Sequence, residues 1–312
     1  MDLNGKSFKT SLNLGGGGAR GLAHLGVLRA LEENNIEFDI LIGVSMGALI
    51  AANYAYYKNA QRVENIIVRH IESPEFKRSL LGSWKSDHSE AYANRTRQIL
   101  AKFGRFYKQT ELYGRLFLST GMLDKKDIQE AIYPILPDIH FEDLKTSYVC
   151  IAVNLENGAR RIFHQGSIRT AVVASLSMPL VFPPVEINGG LYTDGGVIDR
   201  LGIDSACDIG VEKIIAIDVS NDFFSKKRIK TALDIMLRSE EISSIYRKNY
   251  QLLQAAVVVK PIHESIHWAD YHDYKRIIAS GYESTMEKIK EIKKVVKSTR
   301  SVFSFFKSKK KR

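Results

Sequence analysis

Cysteine is almost absent from this 312-residue chain. Cys150 and Cys207 are the only two, too few for a disulfide framework, and a reducing compartment fits them best. Cys150 sits in the apolar run from Tyr148 to Val153, where a free thiol reads as core filler. Proline is sparse, with 7 residues and no Pro- or Ser-rich linker. Internal repeats are lacking as well. No apolar run approaches the ~18 residues that a membrane span needs. The first ten residues, MDLNGKSFKT, lack the apolar stretch of a secretory leader. The expected location is therefore cytoplasmic, with leaderless export left open. Charged residues make up 26% and apolar residues 45%, ordinary globular proportions that exclude wholesale disorder.

Negative charge is scarce at one end only. The formal charge is +10, yet Lys288–Arg312 holds eleven basic residues and a single acid, Glu291, which leaves the rest of the chain neutral. Within that segment Ile289, Ile292, Val296, Phe303 and Phe306 recur at helical spacings. A helix there would show an apolar stripe among lysines, the pattern of a segment that lies on an anionic membrane surface. The same pattern also suits a solubilising tail whose first half packs on the body. No nucleic-acid-binding module is evident, so no nucleic acid is expected as a partner.

Hydrophobic patterning predicts an α/β fold. Ser11–Leu14 reads as a strand that runs into Gly15–Gly18, followed by a helical pattern over Leu22, Leu25, Leu28 and Leu31. Phe38–Gly43 reads as a buried strand and Met46–Tyr57 as a helix. This alternation argues for a parallel sheet covered by helices. Residues 59–147 are charged, rich in Tyr and Phe, and helical in period, and are expected to form an insertion or lid. Further strands are expected at Tyr148–Leu155, Arg160–Phe163, Lys213–Val219 and Ala255–Lys260, with helices at Ile168–Ser177, Asp204–Ile209, Thr231–Leu253 and Tyr271–Lys297.

Two glycine-rich turns carry the chemistry. Gly43-Val44-Ser45-Met46-Gly47 fits G-x-S-x-G, in which small flanking residues allow a sharp strand-to-helix turn that lifts a serine hydroxyl to the start of a helix. Gly15–Gly18, with Ala19-Arg20-Gly21 after it, opens another helix at a strand end. Such a loop could cradle a phosphate or hold the oxyanion of an acyl-transfer intermediate. It lacks the G-K-[ST] of a P-loop, and neighbouring strand ends favour the oxyanion. A nucleophilic serine needs a base. His24 lies in an apolar helical pattern and reads as packing. His140, His164, His263, His267 and His272 lie in polar stretches. Asp194, at the end of a short strand and before Gly195-Gly196, is the better candidate, although Asp-Gly is also a plain turn signal.

Taken in order, these segments resemble the patatin-like phospholipase family. The resemblance rests on Gly16–Gly21, Gly43–Gly47, Ala174–Pro179 with Phe182-Pro183-Pro184, and Asp194-Gly195-Gly196. Asp234–Arg238 and Ala255–Pro261 are similar to the bacterial branch that resembles neuropathy target esterase. The resemblance implies a three-layer α/β/α domain over 9–262, with the mostly parallel sheet at its centre. It leaves a C-terminal helical extension over 263–297 and a basic, disordered tail over 298–312. It implies Ser45 as nucleophile, Asp194 as base, and the amides of Gly16, Gly17 and Gly18 as oxyanion donors, with Arg20 supporting the loop. No metal or other cofactor is implied. The implied substrate is a phospholipid or lysophospholipid, which would suit an enzyme held peripherally at the inner membrane. The chain departs from the family pattern after Asp194-Gly195-Gly196, where Asp199-Arg200-Leu201-Gly202 replaces an Asn-x-x-Pro element and suggests a looser loop. Two other functions stay open: a catalytically silent lipid-binding protein on the same fold, and a Ser-His-Asp hydrolase using His267 or His272.

Overall fold

The computed structural model describes residues 3, 5–78, 120, 121, 123–220, 229–262 and 266–309. Among them, strands β1 (Thr10–Leu14), β2 (Ile40–Val44), β3 (Ser147–Asn154), β4 (Arg160–Phe163), β5 (Val185–Ile187), β6 (Gly190–Asp194), β7 (Lys213–Ile217) and β8 (Val257–Val259) form one sheet. Its order is β5-β6-β3-β2-β1-β7-β8, with β4 on β3 outside that path. The run β3-β2-β1-β7-β8 is parallel, and β4, β5 and β6 join antiparallel. Parallel neighbours need crossovers, and helices supply them on both faces. The mostly parallel three-layer α/β/α architecture expected from the sequence is thus present.

Alternation along the strands sends side chains to two separate cores. Leu12, Leu14, Leu41 and Cys150 face the larger one, while Ile40, Ile42, Val44, Val149 and Ile151 face the smaller. Helices α1 (Ala23–Glu33), α2 (Met46–Tyr57), α3 (Ala60–Glu72), α4 (Pro74–Arg78), α5 (Lys125–Ile132) and α6 (Ile168–Leu176) contribute to the larger core, and α7 (Ile203–Asp208) covers the smaller. The described parts of the expected insertion therefore pack into the main core, through Val63, Ile67, Ile71, Ile128 and Ile132. Residues 79–119 of that segment lie outside the described residues.

Two further helices complete the fold, α8 (Ala232–Leu252) and α9 (Tyr274–Lys309). Thr231 and Asp234 start α8 with a reciprocal capping box. Helix α9 crosses α1 at backbone contact: a Cβ on Gly281 would stand 1.9 Å from Ala23 O, and one on Gly26 would stand 2.0 Å from Ile278 O. Only glycine permits that approach. Ile277, Ile278, Ile289, Ile292 and Val296 are buried in the main core. The first half of the basic segment hence uses its apolar stripe on the body. No proline or glycine stops the helix after Lys297, and its backbone continues to Lys309, through most of the segment expected to be disordered. Among the described residues, no helix is long and apolar enough to cross a membrane.

Candidate active site

Strand register brings the two central residues to one level. Val44 stands beside Ile151 in the parallel pair β2–β3, and the next residue of β3, Ala152, stands opposite Asp194 in the antiparallel pair β3–β6. Ser45, one step beyond Val44, is therefore two strand spacings from Asp194, roughly 10 Å between backbones. Their side chains face each other across that gap, near enough that the Ser45 hydroxyl favours the charged form of the Asp194 carboxyl.

Ser45 sits at φ 54° and ψ −125°, a backbone state that costs a non-glycine residue of order 1–3 kcal/mol. Several contacts enforce it. Its N–H donates to Ser175 Oγ at 2.9 Å. Its carbonyl accepts from Ala48 and Leu49 at the start of α2. Gly47 passes so close to β1 that a Cβ would lie 2.0 Å from Leu14 O. Gly43 lies within β2, level with Leu14 and Cys150. Although Ser45 is the N-cap of α2, its side chain makes no capping bond, so the hydroxyl is not tied to the helix.

Asp194 ends β6 and accepts the Gly196 N–H at 2.7 Å, inside the short 3-10 turn Gly195–Val197. Its own N–H and the Thr193 hydroxyl bond to Ser177 O at 3.0 and 2.6 Å. Burial pushes the Asp194 carboxyl up to about 6, against the opposing pull of Ser45, the Gly196 amide and the Arg200 charge. A base in that range works better near neutral pH than an ordinary carboxylate. Beside it, burial pushes the Cys150 thiol up to about 12, so it remains a neutral packing group.

The glycine loop lies against Ser45, with a Cβ on Gly16 falling 3.1 Å from Ser45 Cβ. Its donors are not equivalent. Gly16 N–H is already committed to Arg200 O at 3.0 Å. Arg20 Nε holds Gly17 O at 3.1 Å, and Ala19 N–H holds Trp268 O at 2.6 Å beside Gly18, whose φ is +58°. His24 Nε2 donates to Gly15 O at 2.8 Å, and burial lowers that imidazole to about 4. His24 is thus a neutral clamp for the loop. The segment Asp199–Gly202, expected to be loose without its proline, is pinned. Asn13 Nδ2 donates to Leu201 O and Gly202 O at 3.0 and 2.8 Å, and Asp199 accepts from Ser205 N–H and Oγ–H at 2.9 and 2.7 Å.

An apolar cavity opens beside Ser45, walled by Leu22, Met46, Leu49, Ile67, Phe182 and Trp268. Of the other histidines, His267 Nδ1 accepts the Ala269 N–H at 3.2 Å and His272 lines a neighbouring cleft with Glu72 and Tyr274, beyond the shared wall of Ile71, Phe76 and Tyr271. His263 lies outside the described residues. Ser175 and Ser177 fall inside the Ala174–Pro179 motif, which by itself assigns them no role, and Trp268 belongs to no motif in the sequence. Two serines in an apolar helical pattern were the available signal for the first pair.

Residues 12–207 match a family model described as "Patatin-like phospholipase". "Lysophospholipase NTE1" of Candida albicans is 25% identical over 258 residues, 75% of this chain and 16% of that protein. "Neuropathy target esterase sws" of Drosophila melanogaster is 29% identical over 221 residues, 70% of this chain and 13% of that protein. The chain thus spans about a sixth or less of the length of these curated relatives. The solved structure of VipD from Legionella pneumophila aligns with a TM-score of 0.45 at 15% identity, covering 94% of this chain and 67% of that one.

Proposed function

Given that the chain belongs to the patatin-like phospholipase family, we propose that it is a serine lipid acyl hydrolase working through a Ser45–Asp194 dyad. The observation that carries this is the approach of a strained, uncapped serine to a buried carboxylate, across two neighbouring strand pairs, at the edge of an apolar cavity.

Ser45 Oγ attacks the ester carbonyl carbon while Asp194 accepts the hydroxyl proton. The tetrahedral oxyanion rests on the amides of Gly17 and Gly18, helped by the positive end of α2. Gly16 serves by close packing, because its own N–H is engaged with Arg200 O. The acyl carbon–alkoxide bond breaks, and Asp194 returns the proton to the departing alcohol or lysolipid. Asp194 then deprotonates a water that attacks the acyl-enzyme, so that the fatty acid leaves and Ser45 regains its proton. The acyl chain lies in the apolar cavity, which makes a phospholipid or lysophospholipid the fitting substrate. Lysines of Lys288–Arg312 would add attraction to an anionic membrane surface, placing the protein peripherally at the cytoplasmic face of that membrane.

The test is hydrolysis of a soluble p-nitrophenyl acyl ester by wild type, Ser45→Ala and Asp194→Asn. Both variants should lose at least about a thousandfold in kcat/KM. Equal rates in all three contradict the dyad.

A further inference from the structure

Helix α8 buries polar side chains beside Ile245 and exposes apolar ones. On its inner side Ser244, Lys248 and Gln251 are all buried. Lys248 pairs with Asp218 at 3.0 Å and donates to Ser220 Oγ at 2.7 Å, while Gln251 Nε2 donates to Ile198 O and Asp204 Oδ2 at 3.1 and 2.7 Å. The outer side carries Ile235, Ile242, Tyr246, Tyr250 and Leu253, all exposed. Both tyrosines are 73% exposed and Leu253 79%. At 3.6 residues per turn these five positions fall within about 80° of one another, a stripe about 27 Å long that Ser239 interrupts between Ile235 and Ile242. Surface helices ordinarily show the reverse arrangement, and a contiguous exposed apolar patch marks a contact surface.

We propose that this stripe is a lipid-docking surface, which lays α8 flat in the interface of a membrane. The inference rests on the lipid acyl hydrolase reading, since it supplies the surface on which that substrate would be met. Size disfavours a second copy as the occupant. A stripe of this length and one helix width buries on the order of 300 Å² per chain, so a symmetric pair would fall to about half of the smallest standard protein interface. Chemistry favours lipid. The stripe combines aliphatic side chains with two tyrosines and contains no charge, and tyrosine places an apolar ring and a hydroxyl at the membrane–water boundary. Position agrees as well. Arg247 bonds to Val197 O and Gln251 to Ile198 O, so the outer stripe is one helix thickness, about 10 Å, from the turn that follows Asp194. Helix α9 cannot provide such insertion between Lys288 and Lys297, because Ile289, Ile292 and Val296 are buried in the core.

An uncharged stripe should dock on zwitterionic lipid and resist salt. The test compares full-length wild type with a combined Ile242→Ser, Tyr246→Ser and Leu253→Ser variant. Three readouts are needed: co-sedimentation with phosphatidylcholine vesicles in low and high salt, sedimentation velocity without lipid, and hydrolysis of a soluble short-chain ester. Wild type should bind the vesicles in both salts, and the variant about a hundredfold more weakly with its soluble-ester rate unchanged. Equal binding by the two proteins, or no wild-type binding, overturns the proposal. A lipid-free wild-type dimer that becomes monomeric in the variant also overturns it, in favour of a second copy. Wild-type vesicle binding without ester hydrolysis would contradict the hydrolase reading alone, so the two failures are distinguishable.

Discussion

Ser175 Oγ accepts the backbone N–H of Ser45 across 2.9 Å, so the strained turn at the proposed nucleophile is held by a side chain from α6, 130 residues further along the chain. Removing that hydroxyl strands a buried N–H, which costs about 1–3 kcal/mol. Ser175→Ala should therefore melt at a lower temperature and show a reduced kcat with a smaller change in KM, because Ser45 loses its fixed backbone while the cavity is untouched. Thermal melts and ester kinetics check both effects.

Asp194 gives a pH dependence of definite sign. Its folded value of about 6 lies above the ordinary 3.8, and the proposed base works only in the ionised form. The acid limb of kcat/KM should rise with a midpoint near pH 6. For stability, the folded state holds more protons than the unfolded state between those values, so this group lowers stability as pH rises through that window. At pH 7 the cost is on the order of 3 kcal/mol. Asp194→Asn should therefore be inactive yet more stable than wild type at pH 7, with the gain vanishing near pH 4. His24, depressed to about 4, acts oppositely and loses stability as pH falls below its ordinary 6.5. Urea melts of wild type and Asp194→Asn across pH 4–8 separate the two.

Two surfaces should bind membranes by different physics. The tail beyond Lys297 still holds Arg300, Lys307, Lys309, Lys310, Lys311 and Arg312, each worth up to about 1 kcal/mol near an anionic leaflet. Deleting residues 298–312 should weaken binding to anionic vesicles by at least about tenfold and flatten its salt dependence. The soluble-ester rate should not change. Vesicle co-sedimentation over a salt series measures it.

Helices α1 and α9 meet backbone to backbone at Gly26 and Gly281. Gly281→Ala forces a methyl group against Ala23 O, and overpacking of this kind costs typically 1–3 kcal/mol. The melting temperature should fall while a soluble ester is still turned over below it.

Local signals made the elbow and the Asp194 turn readable, because glycine spacing and a strand end are properties of a few consecutive residues. The parallel sheet was readable from alternating apolar runs. Ser175 was not, since its task is a bond across a helix–strand junction that no spacing encodes. Nor was the commitment of Gly16 N–H to Arg200 O, which depends on where a distant loop comes to rest. Ile289, Ile292 and Val296 showed a periodic stripe, but periodicity cannot say whether a stripe meets a core or a membrane. The reversal in α8 was hidden for a related reason: Lys248 and Gln251 look like surface residues until Asp218 and Ile198 O are placed beneath them.

Covalent labelling by a fluorophosphonate, followed by peptide mass mapping, tests the dyad most directly. One adduct on Ser45 is expected in wild type, formed far more slowly in Asp194→Asn and not at all in Ser45→Ala. A serine other than Ser45 carrying the label, or undiminished labelling in Asp194→Asn, would contradict it.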